Sequence, residues 1–372
     1  MERIKINHLP GQTWNRLGMN DIEIEKYSFE KNLEGKIREE KEELPGQGIA
    51  YCDKDKQGGL QRGTESSFDR EEKSDCGSAL GDAFVELLEE THMAQVVSLV
   101  AEAGEQKTYR MEFGKTEGAA CGKFDLLAKQ NCEMTVFQYF DDRTAAEQTK
   151  DARSGIRNRI RAEKGAYIKL VQVFLGGERE EILNDIGAVL EENAELEVDQ
   201  IFLGGKKTVS GVLAQLRGRK SSFTSNIAYD IGQDERLDLN LIAKHIGKKT
   251  EAQMDVKGVL REGAHKLLRA TVDFIPGCSG SVGKENEEVL LMDEEVVNQT
   301  VPLILCGEED VEGAHGASIG RINEEYLFYL KSRGIPEKQI YEMLANARIE
   351  TVLGKIDDGE TRERVMAALV EG

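Results

Sequence analysis

Four stretches decide how this chain is read: VAEAGEQKTYRMEF (100–113), LAKQNCEMTVFQYF (127–140), RAEKGAYIKLVQVF (161–174) and LEENAELEVDQIF (190–202). Each carries a glycine or asparagine at one shared position (Gly104, Asn131, Gly165, Asn193), and nine residues later each carries a phenylalanine (Phe113, Phe140, Phe174, Phe202). Glycine and asparagine tolerate positive φ best, so the shared position marks a tight turn for a backbone reason. The residues between turn and phenylalanine are rich in strand formers. The turns recur unevenly, roughly every thirty residues, which is the range of stacked repeats.

The pattern extends outward. LDLNLIAKH (237–245) places Leu237, Leu239, Leu241 and Ala243 on one face, and LRATVDF (268–274) does the same with Leu268, Ala270, Val272 and Phe274. This is strand alternation. The gaps between runs are short and glycine-rich and leave no room for crossover helices, which argues against a doubly wound α/β fold. A sandwich or a β-solenoid remains, and repetition favours the solenoid, because each coil must bury its face on the next.

Both flanks differ from this core. DIEIEKYSFEKNLEGKIREEKEEL (21–44) is charge-dense and reads as an exposed helix; residues 51–75 are polar and read as a mobile linker. Phe84, Leu87, Leu88 and Met93 have roughly helical spacing. At the other end Asn323 can cap a helix that Gly334 ends, and Pro336 can open a second with Ile340, Met343, Leu344 and Ala347 on one stripe. A third short helix follows. The expected organisation is an irregular and helical N-terminal segment over 1–92, a β-solenoid over 93–320 and a small helical domain over 321–372.

The 372 residues are 39% hydrophobic, enough for a sizeable core. A formal net charge of −20 argues against nucleic acid or an anionic membrane as partner. No apolar run is long enough to span a membrane, and the N-terminus lacks the layout of a secretion signal, so a cytoplasmic protein is expected. The six cysteines are scattered, without a C-x-x-C pair, and are expected to be thiols rather than ligands of a resident zinc or cluster.

Several motifs dissolve on inspection. FLGGKKT (202–208) fails as a phosphate loop at both ends, with Gln200 where the first glycine belongs and Lys207 where serine or threonine belongs. GCSGSVG (277–283) precedes a strand-like run and reads as a turn. His245 falls on the leucine face of its strand and reads as a core histidine; it and His265 are candidates to stack on adjacent coils. Cys121 and Cys132 read as small buried residues. His315 alternates with Val311, Gly313, Ala317 and Ile319 on one face; a buried core residue is the plain reading, but its small neighbours give the ring little cover. No serine or cysteine nucleophile has a base and orienter around it, so catalytic residues are expected to be absent.

EDVEGAHGASIGRINEEYLFYLKSRGI (309–335) resembles the C-terminal signature of the SufB/SufD family of iron–sulfur cluster assembly proteins. LPGQTWNRLGMND (9–21) resembles the N-terminal motif of its SufD branch, and 237–260, 266–274 and 288–292 resemble the family core. The resemblance implies a right-handed parallel β-helix with flanking helical segments and a non-enzymatic scaffold role in the SUF machinery. It implies a SufB-like subunit paired through the β-helix ends and a SufC ATPase on the C-terminal helices, where Tyr326, Phe328 and Tyr329 are the candidate docking residues. No stably bound cofactor is implied, only a transient iron–sulfur cluster in the assembled complex, with His315 as candidate ligand for iron or that cluster. Gly316 stands where SufB-type chains carry glutamate, which favours the SufD branch. Gly313 stands where the SufD pattern has cysteine, so that thiol is missing, and nothing transfers its role to nearby Cys306. The alternatives are a SufB-like homodimer working with SufC alone, and a β-helix carbohydrate-active enzyme, which would need a groove of carboxylates or basic residues that does not stand out.

Overall fold

The computed structural model describes residues 2–371 apart from 12, 14–17, 41–59, 64–67, 69–74, 91–95, 115–117, 142–150, 178 and 233. The linker expected over 51–75 and the boundary near 92 lie largely outside the described residues, as do Trp14 and Met93.

From Val96 to Gly320 the chain winds as a parallel β-solenoid, each coil giving one strand to each of two sheets. The first sheet runs in order from Val96–Ala101 through Gly118–Ala128, Ala152–Ala162, Glu180–Leu190, Lys207–Leu216, Arg236–His245 and His265–Phe274 to Val297–Cys306. The second runs from Gln106–Phe113 through Glu133–Asp141, Tyr167–Gly176, Glu195–Gly204, Ser222–Ile231, Glu251–Leu260 and Ser281–Leu291 to Val311–Gly320.

The repeat seen in sequence is the coil. Gly104, Asn131, Gly165 and Asn193 all have positive φ, between 55° and 76°. Each donates its N–H to a carbonyl of the next coil, Asn131 to Lys164, Gly165 to Glu192 and Asn193 to Arg219. The same turn continues through Lys220 (φ 61°) and Lys249 (φ 57°), which composition gave no reason to include. The four phenylalanines lie in register and stack, with ring centroids 4.9 Å apart for Phe113 and Phe140, 4.8 Å for Phe140 and Phe174, and 5.0 Å for Phe174 and Phe202. Beside this apolar ladder runs a buried amide ladder. Gln200 Nε2 donates to Gln172 Oε1 and Gln172 Nε2 to Gln138 Oε1, both at 2.8 Å, while Asn158, Asn184 and Ser210 answer from the facing sheet. A one-residue slip would break every one of these bonds, so the amides pin the register of the coils.

The flanks cover the outer faces of the sheets. Over the first sheet lie the antiparallel strands Arg3–Ile6 and Ile22–Glu25 and helix α1 (Asp82–Glu89), burying Ile6, Ile24, Phe84, Leu87 and Leu88 against Cys121, Leu183 and Val209. Outward-facing polar residues of the sheet hold this segment: Asp185 accepts from the N–H groups of Ala79 and Leu80, and Arg269 donates to the carbonyl of Met19. Over 21–40, the described part of the segment 21–44, the expected helix is not formed. Ile22–Glu25, Lys31–Asn32 and Gly35–Glu40 are strands, and the alternation of Ile22 and Ile24 with glutamates, half-buried on a sheet, is the period that wins over charge density.

After Gly320 come helices α2 (Glu324–Ser332), α3 (Glu337–Leu353) and α4 (Gly359–Glu371). Asn323 Oδ1 caps α2 by accepting from the N–H groups of Glu325 and Tyr326, and Gly334 leaves it at φ 86°. The face that α3 buries is Ile340, Ala345, Ile349, Val352 and Leu353, which keeps Ile340 and, partly buried, Leu344 of the expected stripe, while Met343 and Ala347 are exposed. The reason is that α3 and α4 pack on the outer face of the second sheet. Ile349, Val352, Leu353, Ile356 and Val365 share one cluster with Tyr139, Val171, Val173, Ile201 and Ala228. Arg110 fastens the end of this unit through Asp358, whose carboxyl burial would raise but whose bonds from Arg110 and Thr361 hold at about 2.

Candidate functional site

The solenoid is finished differently at its two ends. At the start, Gly35–Glu40 pairs antiparallel with Gln106–Phe113, and Leu60–Gly63 pairs antiparallel with Val96–Ala101. At the other end Val297–Cys306 and Val311–Gly320 are the outermost strands of their sheets, and no described strand pairs with their free edges. Two adjacent ten-residue strands thus present unpaired backbone groups, an arrangement that favours pairing with another chain. Ile319 and Val297 are exposed there.

His315 lies on the terminal strand and is exposed, so the core-residue reading of it is overturned. No described coil lies above its strand, which is why alternation alone misjudged it. Two glycines fix the direction of its side chain. A Cβ on Gly313 would lie 3.0 Å from Ile304 Cγ2 and 3.2 Å from Phe274 Cε2, inside the solenoid; one on Gly316 would lie 3.3 Å from Asn286 Oδ1, outside it. His315, two residues beyond Gly313 on an extended strand, therefore faces the lumen side of the open end. Cys306 is exposed at the end of the neighbouring strand, in register with Phe274 and beside the turn into Val311. The four steps from Val311 to His315 span about 13 Å of strand, so thiol and imidazole do not converge. Among the described residues no three His, Cys, Asp or Glu side chains gather into a metal site.

Beneath His315 the lumen carries charge. Lys266 and Glu287 are fully buried and paired, and Lys266 Nζ also donates to Thr300 Oγ1 at 3.0 Å. Thr300 Oγ1 donates to the second oxygen of Glu287 at 2.7 Å. Glu285, in register with His315 and 3% exposed, keeps an oxygen, Oε1, without a hydrogen-bond partner. Burial, with Glu287 adding a like charge, pushes its carboxyl up to about 7 against the opposing pull of Lys266. Sequence reasoning missed this group, although Ser281, Gly283, Glu285, Glu287 and Val289 alternate onto one face and so put two glutamates on the lumen side.

The other singled-out residues resolve as structural. His245 is buried, its ring stacked 4.7 Å from Phe274 and its Nδ1 2.7 Å from Thr250 Oγ1; burial lowers its pKa to about 4. It does not stack with His265, because the register pairs His245 with Phe274 and His265 with Arg236, at opposite ends of the strands. Cys121 faces the outer cluster under the N-terminal segment and Cys132 the solenoid interior, and burial pushes both thiols up to about 11. Gly204 and Gly205 of the failed phosphate loop form a turn with positive φ.

A second surface stands out on α2, which buries no residue. Phe328 is 75% exposed, and Tyr326 and Tyr329 are each 50% exposed. Exposed aromatics side by side on one short helix are a feature of protein-binding surfaces.

The family model described as "SUF system FeS cluster assembly, SufBD core domain" matches residues 95–348. The chain is 24% identical to the iron–sulfur cluster assembly protein SufB of Bacillus subtilis over 344 residues, which is 91% of this chain and 73% of that protein. It is 23% identical to SufD of the same bacterium over 189 residues, covering 50% of this chain and 38% of that protein. With SufD of Escherichia coli it shares 22% identity over 258 residues, 69% of this chain and 60% of that protein. Among the described residues no helix is long and apolar enough to cross a membrane.

Proposed function

Because the chain belongs to the SufBD family of the SUF iron–sulfur cluster assembly system, we propose that it is a non-catalytic scaffold subunit of that system, of the SufD type, pairing through the open end of its solenoid with a SufB-like subunit and carrying a SufC ATPase on its C-terminal helices. The observation that carries this reading is the contrast in how the ends are finished: one is closed by the chain's own antiparallel strands, while the other exposes two edge strands with His315 at its rim. A partner that pairs with those edges would bring its own ligands to the imidazole, which suits iron or a nascent cluster held between subunits. Gly316 in the HGA signature favours the SufD type. The longer shared stretch with the Bacillus subtilis SufB favours the second reading, a SufB-like homodimer acting with SufC, in which the same edge would pair with its own copy.

Replacing His315 by alanine tests the role directly. The melting temperature and complex formation are expected to stay unchanged, since an exposed ring on an edge strand supports little packing and a large interface does not rest on one side chain. Cluster yield or iron content of the complex is expected to fall. Normal yield per folded molecule would refute the ligand role. For the ATPase, Phe328→Asp is the sharper test than deleting 321–372, because that deletion would also strip Val171, Val173 and Ile201 of their cover. The substitution should abolish SufC co-purification and leave the fold intact; retained binding would sink the docking assignment.

A further inference from the structure

We infer that Glu285 and His315 together form a binding site for a divalent first-row transition-metal cation of the ferrous class at the open end of the solenoid. The inference deepens the proposed function and rests on its reading of His315 as an interface ligand, but it adds a second protein ligand and a site that exists before any partner docks.

Three observations meet here. The first is placement: Glu285 and His315 are register partners on adjacent parallel strands, and both face the lumen side. Side chains so placed start about 5 Å apart, a spacing that one ion can bridge. The second is charge. Lys266 is paired with Glu287 and further held by Thr300, so it acts on Glu285 only through space and makes no ion pair with this nearly buried carboxyl. Its Oε1 has no hydrogen-bond partner at all. A buried carboxylate in that condition either takes up a proton or takes up a cation. The third is donor chemistry: one imidazole nitrogen and one carboxylate oxygen suit borderline divalent ions better than calcium or magnesium, which prefer all-oxygen sets, and better than copper(I), which prefers sulfur.

Two protein ligands leave the remaining coordination positions to water, on the side where the solenoid is open. An ion held this way is exchangeable and can gain ligands from whatever chain closes the end.

Mn(II), visible by electron paramagnetic resonance, and Fe(II) under anaerobic conditions are the probes, used on the full chain at about 150 mM salt so that the acidic surface is screened. Wild type should show one saturable site. Glu285→Gln and His315→Ala should each weaken it by about tenfold or more, and Glu288→Gln, on the outer face of the same strand, should not. Absence of a saturable site, or wild-type affinity in Glu285→Gln with an unchanged melting temperature, overturns the inference. Cluster yield separates it from the reading beneath it. If His315→Ala lowers the yield but Glu285→Gln binds metal normally, the two-ligand site falls and the interface role stands. If both variants lose the metal and cluster yield is untouched, the site stands and the interface role falls.

Discussion

Phe113 and Ile319 occupy the same rung of one ladder, the position that runs in register through Phe140, Phe174, Phe202, Tyr229, Gly258 and Val289. Phe113, in the first coil, is 5% exposed; Ile319, in the last, is 41% exposed. The side chains are both large and apolar, and the sheets around them continue one another. The difference lies in what the chain does next. Over Phe113 the strand Gly35–Glu40 returns antiparallel, and it comes so close that a Cβ at Gly35 would lie 2.5 Å from the phenylalanine ring. Over Ile319 no described strand returns. A solenoid needs a cap wherever its edge would otherwise template pairing with another molecule. This chain closes one end with its own strands, and at the other end no described strand covers the edge.

The comparison can be broken most directly by truncating the same rung at both ends. Phe113→Ala removes a ring stacked on Phe140 and packed edge-on to Phe124, and should cost about 3–5 kcal/mol of stability. Ile319→Ala should cost under about 1 kcal/mol in the isolated chain, because much of the side chain is already in water. Denaturant unfolding of the two variants checks this; comparable losses would mean that the open end is covered in solution.

Titration offers a second contrast. His245 sits in the dry interior and stays neutral down to about pH 4, whereas an unfolded histidine takes its proton near 6.5. The unfolded state therefore binds more protons between those values, and stability should fall by up to about 3 kcal/mol as pH drops from 6.5 toward 4. His245→Gln should flatten that slope. At the open end the sign is reversed. The Glu285 carboxyl is raised to about 7, so the native state holds a proton that the unfolded state has lost. Its contribution is therefore full below the ordinary glutamate range and is lost as pH rises through about 7. Stability curves for Glu285→Gln should lack this alkaline-side decline, and the same slope in wild type and variant would contradict the raised carboxyl.

The smallest effect is expected from His315→Ala, with a melting temperature within about 1 °C of wild type, since no described coil packs over the exposed imidazole. A clear loss of stability would return His315 to the core and close the gap between the two ends.

Much of this architecture was legible as sequence. Gly104, Asn131, Gly165 and Asn193 announced the turn because positive φ selects few residue types, and the phenylalanines announced the rung because one stacked position repeats the same demand on each coil. The turn went unseen at Lys220 and Lys249, where hydrogen bonds between coils hold an unfavourable residue in the left-handed region. The family signature brought His315 to attention, and with it the aromatics Tyr326, Phe328 and Tyr329 of α2. What local pattern could not decide is which faces become inside. The segment 21–44 looked like a helix because its charges dominate its composition; its fate as strands depends on a sheet formed by distant residues. The face buried by α3 was read only in part, Ile340 and Leu344 but not Met343 and Ala347, because the helix packs on the second sheet rather than on its own neighbours. Glu285 and Glu287 alternate visibly, but their meaning depends on Lys266, about twenty residues away, and on the absence of a further described coil above. Sequence determined the period, the turns and the family, because those are set by local backbone chemistry and by motif. Only the tertiary structure decided where the stack stops, and a residue on the last rung differs from its equivalents in having no described coil packed upon it.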